Sequence, residues 1–200
     1  MVSGQPVHNE RQGNRAEAAA ADDARLMPAI RTGDMQAFEA LYRNFHPRLT
    51  RFLSSLIRRP QAVEEVLNDT MMVVWEKPES FRGESRLSTW IFAIAYRKAM
   101  KSLRRWDDPV EDRDADTRTD PLFAPDREAE EHQVARLLRQ AMAQLSPDHR
   151  AVVDLTYFHE MGYREIAAIL GCPVNTVKTR MFHARRHLRA ILPGDAQDWI

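Results

Sequence analysis

The chain has 200 residues, equal numbers of acidic and basic side chains, and a single cysteine. This length accommodates one domain or two small ones. No apolar run approaches the roughly 20 residues that cross a bilayer, and the N-terminus lacks the apolar stretch of a signal peptide. The lone Cys172 excludes an internal disulfide and a cysteine-rich zinc site within one chain. We therefore expect a cytoplasmic protein without direct membrane insertion.

The zero net charge conceals two basic stretches separated by an acidic one. Residues 97–105 and residues 178–189 each contain five basic and no acidic side chains. Residues 107–131 hold eleven acids against three bases, which gives a net charge of −8. This distribution favours two anion-binding surfaces joined by a segment that repels the same anion. Two solvated helix faces and a linker would produce the same pattern.

The first segments in chain order predict a tail followed by helices. Residues 1–23 are polar and alanine-rich, and we expect them to be disordered. Asp34 is placed to cap a helix whose apolar residues follow the i, i+3, i+4, i+7 spacing. Pro47 suits the first turn of a second helix.

The next segments predict two more helices in the N-terminal half. A third helix is expected from about Gln61 to Glu76, with Pro78 ending it. A loop from Glu79 to Leu87 follows, and Ser88 is expected to cap a fourth helix that reaches about Arg105. Helices of this number and length can enclose one small core.

No alternating strand pattern and no internal repeat occurs, so the expected fold class is all-α with two small helical domains. The four-helix domain is expected at residues 24–106. Residues 107–127 contain three prolines and few apolar side chains, which indicates a flexible acidic linker. The second helical domain is expected at residues 128–193, where Ser146-Pro147 opens one of its helices. Residues 194–200 form a tail.

The second domain contains a pattern typical of a helix-turn-helix, YREIAAILGCPVNTVKTRMFHARRHLR. Ala167 and Ala168 are small where a second helix would cross closely, and Gly171 lies where the chain leaves the first helix and positive φ is favoured. Asn175 or Thr176 can cap the second helix. Its expected buried stripe comprises Val177, Met181, Ala184, Leu188 and Ile191. Its polar side, suited to base edges and phosphates in a major groove, comprises Lys178, Thr179, Phe182, His183 and Arg186. A plain helical hairpin with a basic outer face is the alternative.

No pattern predicts an enzyme, a cofactor or a metal site. His183 and His187 have the i, i+4 spacing of a helical metal pair. The adjacent arginines repel a cation, and no third ligand is near in sequence. Cys172 is best explained as a small packed turn residue. No phosphate-binding glycine loop, nucleophile motif or carboxylate cluster is present.

The stretch FRGESRLSTWIFAIAYRKAMKSLRR combines aromatic and basic side chains around a glycine-containing loop. Trp90, Phe92 and Tyr96 interleaved with positive charge suit unstacked single-stranded bases above a phosphate backbone. For Trp90, however, a place in the core explains the pattern better than base stacking does.

Together the motifs resemble the extracytoplasmic-function group of bacterial sigma factors, from about Leu26 to Leu192. VEEVLNDTMMVVW resembles the region 2.2 helix, which docks on the largest catalytic subunit of RNA polymerase. The aromatic and basic stretch resembles regions 2.3 and 2.4, which melt and read the −10 element. The helix-turn-helix, with LSPDHRAVVDLTYFHEMG before it, resembles region 4, which reads the −35 element. The resemblance implies a transcription initiation factor that works with core RNA polymerase and promoter DNA.

The resemblance also implies roles for individual residues. The positions matching the polymerase-docking helix are Glu64, Glu65, Asn68 and Asp69. The positions matching the −10 contacts are Arg82, Gly83, Glu84, Ser85, Arg86, Trp90, Arg97, Lys98 and Lys101. The positions matching the −35 contacts are Asn175, Thr176, Lys178, Thr179, Phe182, His183 and Arg186.

Three residues depart from the family pattern. The family usually has asparagine in place of Arg97, often aspartate in place of Lys101, and often arginine in place of His183. The differences at Arg97 and Lys101 bear on the base preference at the −10 element. Histidine at position 183 makes the −35 contact a candidate for pH sensitivity. The resemblance further implies an anti-sigma partner, often membrane-bound.

Two alternatives remain open at the level of the sequence. One is a conventional dimeric helix-turn-helix regulator whose N-terminal half binds a ligand or forms the dimer. The other is a protein that occupies polymerase without reading DNA.

Overall fold

The computed structural model describes residues 25–106 and 137–192, and all regular structure within these ranges is helical. The all-α fold class is therefore confirmed. The helices are α1 (Met27–Arg31), α2 (Met35–Leu56), α3 (Pro60–Glu76), α4 (Leu87–Trp106), α5 (Pro147–Tyr157), α6 (Tyr163–Leu170) and α7 (Val174–Ile191). A 3₁₀ turn spans Pro78–Ser80, and residues 137–143 are also helical. The expected tails, residues 1–23 and 194–200, and the expected linker, residues 107–127, lie outside the described residues.

Helix α2 is longer than the sequence predicts. Asp34 caps it as expected, because its carboxylate accepts hydrogen bonds from the backbone N–H groups of Gln36 (2.8 Å) and Ala37 (3.1 Å). The prediction that Pro47 begins a second helix is wrong, since the helix continues through it to Leu56. An interior proline costs about 3 kcal/mol. Fully buried apolar side chains on both sides of Pro47 offset this cost: Leu41, Phe45, Leu49, Phe52 and Leu53.

Helices α3 and α4 complete the N-terminal core. Helix α3 matches the predicted range within one residue and ends before Pro78. The prediction that Ser88 caps α4 is wrong, because the helix already includes Leu87 and the Ser88 side chain is buried. The Arg86 carbonyl accepts the N–H of Trp90 at 3.2 Å, which places the start of the helix two residues earlier. The inward face of α4 is fully buried along its length at Ile91, Phe92, Ala95 and Ala99.

The C-terminal helices form the predicted helix-turn-helix. Ser146 caps α5 by accepting the His149 N–H at 3.4 Å. Gly171 ends α6 with φ +63°, as the sequence predicts. Asn175 and Thr176 do not cap α7, because Pro173 occupies the capping position and the helix begins at Val174. Ala168 is exposed, so Ala167 alone supplies the small residue in the buried face of α6.

The buried stripe of α7 forms as predicted. Val177, Met181, Ala184 and Leu188 are each 2% exposed or less. Ile191 is only partly buried at the end of the helix. The two sets of helices also pack against each other, with α4 against α6 and α2 against α5.

Gly171 offers a test of the turn. A Cβ added there would meet no atom within 4 Å, so only the left-handed backbone opposes a side chain. We expect Gly171→Ala to lower the free energy of unfolding by about 1 kcal/mol. Gly171→Asn should cost less, because asparagine tolerates the left-handed region. Urea unfolding of both variants measures the difference, and an alanine variant as stable as the parent would contradict it.

Candidate nucleic-acid interface

Helix α3 exposes an acidic face opposite its buried stripe. Glu64, Glu65, Asn68 and Asp69 are all exposed. The Asn68 carbonyl oxygen accepts a long hydrogen bond from the Tyr42 hydroxyl at 3.4 Å. Because every third or fourth residue of α3 faces the core, these four side chains share the outer surface of one helix.

An apolar residue extends this acidic face. Met72 lies one turn beyond Asn68 and is 53% exposed. An exposed methionine beside acidic residues suits a protein partner better than DNA, because an acidic surface repels phosphate. Met72 gives no local signal in the sequence, since it follows Met71 in a mostly apolar stretch of the helix.

The loop between the 3₁₀ turn and α4 presents polar side chains to solvent. Residues 82–86 are exposed, and Gly83 has φ +75°, which a residue with a side chain rarely adopts. The Ser85 hydroxyl donates to the Arg86 carbonyl at 3.3 Å. The guanidinium of Arg86 lies 3.7 Å from the carboxylate of Glu165 in α6. The loop therefore carries accessible donors on a strongly turned backbone.

The aromatic residues near this loop are less accessible to nucleic acid than the sequence predicts. Phe81 is 8% exposed and packs on Trp90, with ring centroids 5.4 Å apart. Trp90 is partly buried, in agreement with the core interpretation. Phe92 and Tyr96 are buried, so in this packed arrangement the predicted stacking of unpaired bases on them is wrong.

The buried Tyr96 has a specific polar partner. Its hydroxyl donates to Asp148 Oδ1 in α5 at 2.6 Å. Burial first, and then the hydrogen bond to Asp148, raise the pKa of Tyr96 above its ordinary value. Tyr96 therefore remains a protonated donor and takes part in a contact between helices.

The basic side chains at the end of α4 differ in exposure: two are exposed to solvent and one forms an ion pair. Arg97 and Lys101 are exposed one turn apart and can reach phosphates. Lys98 is partly buried, and its ammonium lies 3.0 Å from the Asp69 carboxylate. The ion pair joins the acidic face of α3 to the basic end of α4. Lys98 thus links two of the predicted surfaces.

Helix α7 exposes the face predicted to read duplex DNA. Its polar side consists of exposed Lys178, Thr179, Phe182, His183 and Arg186, opposite the buried stripe. Phe182 is 62% exposed, so its ring is accessible for apolar contact such as that with a thymine methyl group. In the first turn of the helix, Asn175 is exposed and Thr176 is half-buried.

A neighbouring arginine is excluded from this face. The guanidinium of Arg180 donates to the Asp148 carboxylate, which turns it toward α5. The Asp148 carboxylate therefore accepts hydrogen bonds from both Arg180 and Tyr96.

A cleft between α5 and α7 borders the reading face. Its volume is about 360 Å³, and it is lined by His149, His183, Arg186 and His187 among others. Burial, and then the charge of Arg180, lower the pKa of His149 from its ordinary value. Within residues 25–106 and 137–192, no group of three ligands has the arrangement to hold a metal ion. His149 lies 34 positions before His183, so no local sequence pattern links the two histidines.

None of the helices in the described part of the chain is both long and apolar enough to cross a membrane.

Comparison with known proteins assigns the family. Sigma-70 region 2 matches residues 41–107, and Sigma-70, region 4 matches residues 135–188. The chain is 32% identical to the ECF RNA polymerase sigma factor RpoE of Cereibacter sphaeroides over 172 residues, which cover 82% of this chain and 91% of that protein.

Two solved structures share the fold. CnrH in complex with the cytosolic domain of CnrY is 25% identical, with a TM-score of 0.64 over 86% of this chain and 98% of that one. The sigma factor RpoE of Bartonella quintana, solved with the anti-sigma factor NepR, is 27% identical to this chain. The TM-score is 0.62, and the match covers 80% of this chain and 99% of that one. With both sigma-70 regions in the family order, the chain belongs to the extracytoplasmic-function group of RNA polymerase sigma factors.

Proposed function

We propose that this sigma factor divides its work among three surfaces. The acidic face of α3 binds core RNA polymerase, the loop at residues 82–86 with the basic end of α4 binds the −10 element, and α7 binds the −35 element. The observation that carries the proposal is the exposed face of α7, where lysine, arginine and phenylalanine lie opposite a fully buried stripe. The polymerase supplies the chemistry, and this chain acts as a non-enzymatic factor in the cytoplasm.

The proposed domains keep the boundaries expected from the sequence. Residues 24–106 form the polymerase-binding and −10-binding domain, and residues 128–193 form the −35-binding domain. The acidic composition of residues 107–127 supports a linker that avoids DNA and occupies a basic channel of the polymerase.

Promoter opening is proposed to depend on the loop at residues 82–86. Strand separation must offset the stacking of several base pairs, and a pocket that holds a displaced base lowers this cost. Arg82 and Arg86 offer exposed donors, while Gly83 permits the turn. Arg97 and Lys101 lie further along α4 and can grip the adjacent phosphates. Both are basic where the family usually has asparagine or aspartate, which favours phosphate contact over base readout.

An anti-sigma factor is the proposed regulatory partner. The structure of the Bartonella quintana sigma factor, which this chain resembles, was determined with the anti-sigma factor NepR. An anti-sigma factor that is itself membrane-bound would hold the chain near the inner face of the membrane while the chain remains in the cytoplasm.

The polymerase-docking assignment is tested by reversing charge on α3. Glu64→Lys with Glu65→Lys should weaken binding to core polymerase at least tenfold, because both carboxylates are exposed on the face assigned to the polymerase and charge reversal there replaces attraction by repulsion. Asp69 is left intact because it pairs with Lys98. The measurement is affinity for core polymerase by fluorescence anisotropy. Glu79→Lys, another exposed acid in the same half, is the control. Unchanged affinity with normal helical circular dichroism would refute the assignment.

The −35 assignment is tested on α7. Lys178→Ala and Arg186→Ala should each lower initiation from a −35-bearing promoter by a factor corresponding to about 1 kcal/mol or more. If Lys178 contacts a phosphate, its removal should also reduce the slope of log affinity against log salt by about 1. The measurement is reconstituted transcription across a salt series. Arg139→Ala, an exposed arginine outside the helix-turn-helix, should change neither quantity. If both α7 variants initiate from the −35-bearing promoter as well as the parent does, the assignment of this face to the −35 element is wrong.

The melting assignment is tested in the loop. Alanine at Arg82, Glu84 and Ser85 should block opening while polymerase docking persists. Gly83 is retained, because its positive φ would strain an alanine. The measurement is permanganate reactivity of unpaired thymines in the reconstituted complex.

The control for the loop variant is a pre-melted template, from which it should initiate normally. A normal bubble on duplex DNA would contradict the proposed role of the loop. Failure on duplex combined with initiation from the pre-melted template would also exclude a conventional dimeric regulator, which needs no melted DNA.

A further inference from the structure

The cleft between α5 and α7 brings together three histidines, of which the assignment of α7 to the −35 element uses only one. We call it the histidine cleft, and it is lined by His149 of α5 and by His183, Arg186 and His187 of α7. His183 and His187 lie one turn apart on α7, and His149 approaches them from the first turn of α5. The three imidazoles therefore meet only through the packing of these two helices.

The lining of the histidine cleft suits an anion. It contains one guanidinium and three imidazoles, and its other four lining residues are uncharged. The guanidinium of Arg186 presents a planar set of donors that matches the oxygens of a phosphate. An imidazole that takes up a proton donates from both ring nitrogens. A positive guanidinium beside the rings repels a metal cation, so the chemistry of the cleft favours an oxyanion.

His149 is held in place at one ring nitrogen. Its Nδ1 lies 2.5 Å from the hydroxyl oxygen of Ser146, which also accepts the backbone N–H of His149 at 3.4 Å. We assign the hydroxyl proton to this contact, so Nδ1 of the neutral ring accepts it and Nε2 carries the ring proton. The half-buried ring meets that of His183 edge-on, with centroids 6.4 Å apart. Nε2–H is therefore the donor that the ring retains for a ligand.

The charges around His149 disfavour its protonation until an anion is present. Burial first, and then the charges of Arg180 and His183, lower the pKa of His149 below its ordinary value. Asp148, on the same helix, acts in the opposite direction, but its carboxylate is already paired with Arg180. The charged or titratable groups of α7 around the ring are all basic: Arg180, His183, Arg186 and His187. A bound anion would stabilise the imidazolium, and the ring would take up a proton on binding.

The position of the cleft indicates which anion it meets. His183 and Arg186 line the cleft and also belong to the exposed polar side of α7. When a recognition helix lies in the major groove, the helix packed against it passes close to the DNA backbone. Side chains at the edge of such a helix meet phosphates rather than base edges. The histidine cleft, between the polar side of α7 and the first turn of α5, is placed at this edge.

We propose that the histidine cleft binds one backbone phosphate of the DNA beside the −35 element, that His149 is a further DNA-binding residue, and that this contact takes up a proton. The inference rests on the proposed function, because it uses the assignment of α7 to the −35 element. In the bound form, the imidazolium of His149 and the guanidinium of Arg186 donate to the phosphate oxygens. Promoter affinity is therefore greatest at low pH and falls as pH rises through the pKa of the phosphate-bound imidazole.

The first experiment measures the affinity of the reconstituted holoenzyme for a −35-bearing promoter at pH 6 and pH 8, at one ionic strength. The affinity of the parent should be at least about fivefold higher at pH 6, since uptake of one full proton gives about tenfold per pH unit. His149→Gln keeps an acceptor for Ser146 but does not titrate, and it should reduce the change to about twofold or less. An unchanged pH dependence in this variant would overturn the proposal.

The matched control is His46→Gln. His46 is also half-buried, but it lies on α2, where its ring contacts that of Tyr42 at 5.3 Å. The control should retain the full pH dependence of the parent. If it loses as much as His149→Gln does, the effect does not come from the histidine cleft and the proposal is wrong.

A second experiment identifies the phosphate. Each phosphate within and beside the −35 element is replaced in turn by an uncharged methylphosphonate. One replacement should remove the pH dependence of the parent and leave the affinity of His149→Gln nearly unchanged, because the two changes remove the same contact. If no single replacement has this effect, the cleft does not bind a DNA phosphate.

Free phosphate is the other source of the same chemistry. Nuclear magnetic resonance follows the titration of the His149 imidazole in the full chain, with and without millimolar inorganic phosphate at constant ionic strength. The two titrations should coincide, because a single ion lacks the remaining contacts of α7 with DNA. If inorganic phosphate alone raises the pKa of His149, the cleft is a site for free phosphate and its assignment to DNA is wrong.

Failure of the proposed function would give a different result. A holoenzyme without preference for the −35-bearing promoter at either pH contradicts the assignment of α7 itself. A preference with the same pH dependence in the parent and in His149→Gln contradicts only the histidine cleft. Should His149→Gln lose helical circular dichroism, His187→Gln changes an exposed side chain of the same cleft. That variant must also reduce the pH dependence, and an unchanged dependence would overturn the proposal.

Discussion

The packing of α4 on two sides is the constraint on which the rest of this structure depends. Its inward face closes the N-terminal core against α3, while the side carrying Thr89 and Tyr96 meets α5 and α6. Only the remaining strip, with Arg97 and Lys101, is left for nucleic acid. A helix with so little free surface cannot offer its aromatic residues to bases in this arrangement. The short loop before it, whose residues 82–86 are exposed, is left as the accessible element.

This constraint also couples the surfaces electrostatically. Lys98 pairs with Asp69 of the acidic face of α3, Arg86 lies beside Glu165, and Asp148 accepts hydrogen bonds from both Tyr96 and Arg180. The ion pairs among these contacts are partly exposed, so each contributes little to stability by itself. Their effect is positional, because they fix which side chains remain available to phosphates.

The sequence predicts the local elements well, since periodicity reports which face of a helix is buried. The buried stripe of α7, the caps at Asp34 and Ser146 and the positive φ of Gly171 all follow from short-range patterns. The helix start predicted at Pro47 is wrong because burial of apolar side chains on both sides of it outweighs the tendency of proline to interrupt a helix.

The long-range polar contacts escape prediction for a different reason. Arg150 reaches a carbonyl 95 residues away, and Tyr96 finds an acceptor 52 residues away. In the sequence each is an ordinary member of its own helix. A tyrosine among basic residues equally fits base stacking and burial, and only the packing of α4 against α5 decides between them. The residue roles on the three surfaces stay predictions, because exposure is necessary for binding but does not identify what is bound.

The contact between the two sets of helices differs in chemistry from the two cores. The cores are sealed by fully buried aliphatic and aromatic side chains such as Phe45 and Ile166, whose exposure would cost about 1.5–3 kcal/mol each. The contact between the two sets combines the buried guanidinium of Arg150 with the packing of His159 against Phe92 and Phe52. On separation the guanidinium would regain hydrogen bonds in water, whereas the aromatic rings would lose their packing. Separation of the two sets of helices therefore costs the packing of these rings in addition to the polar contacts.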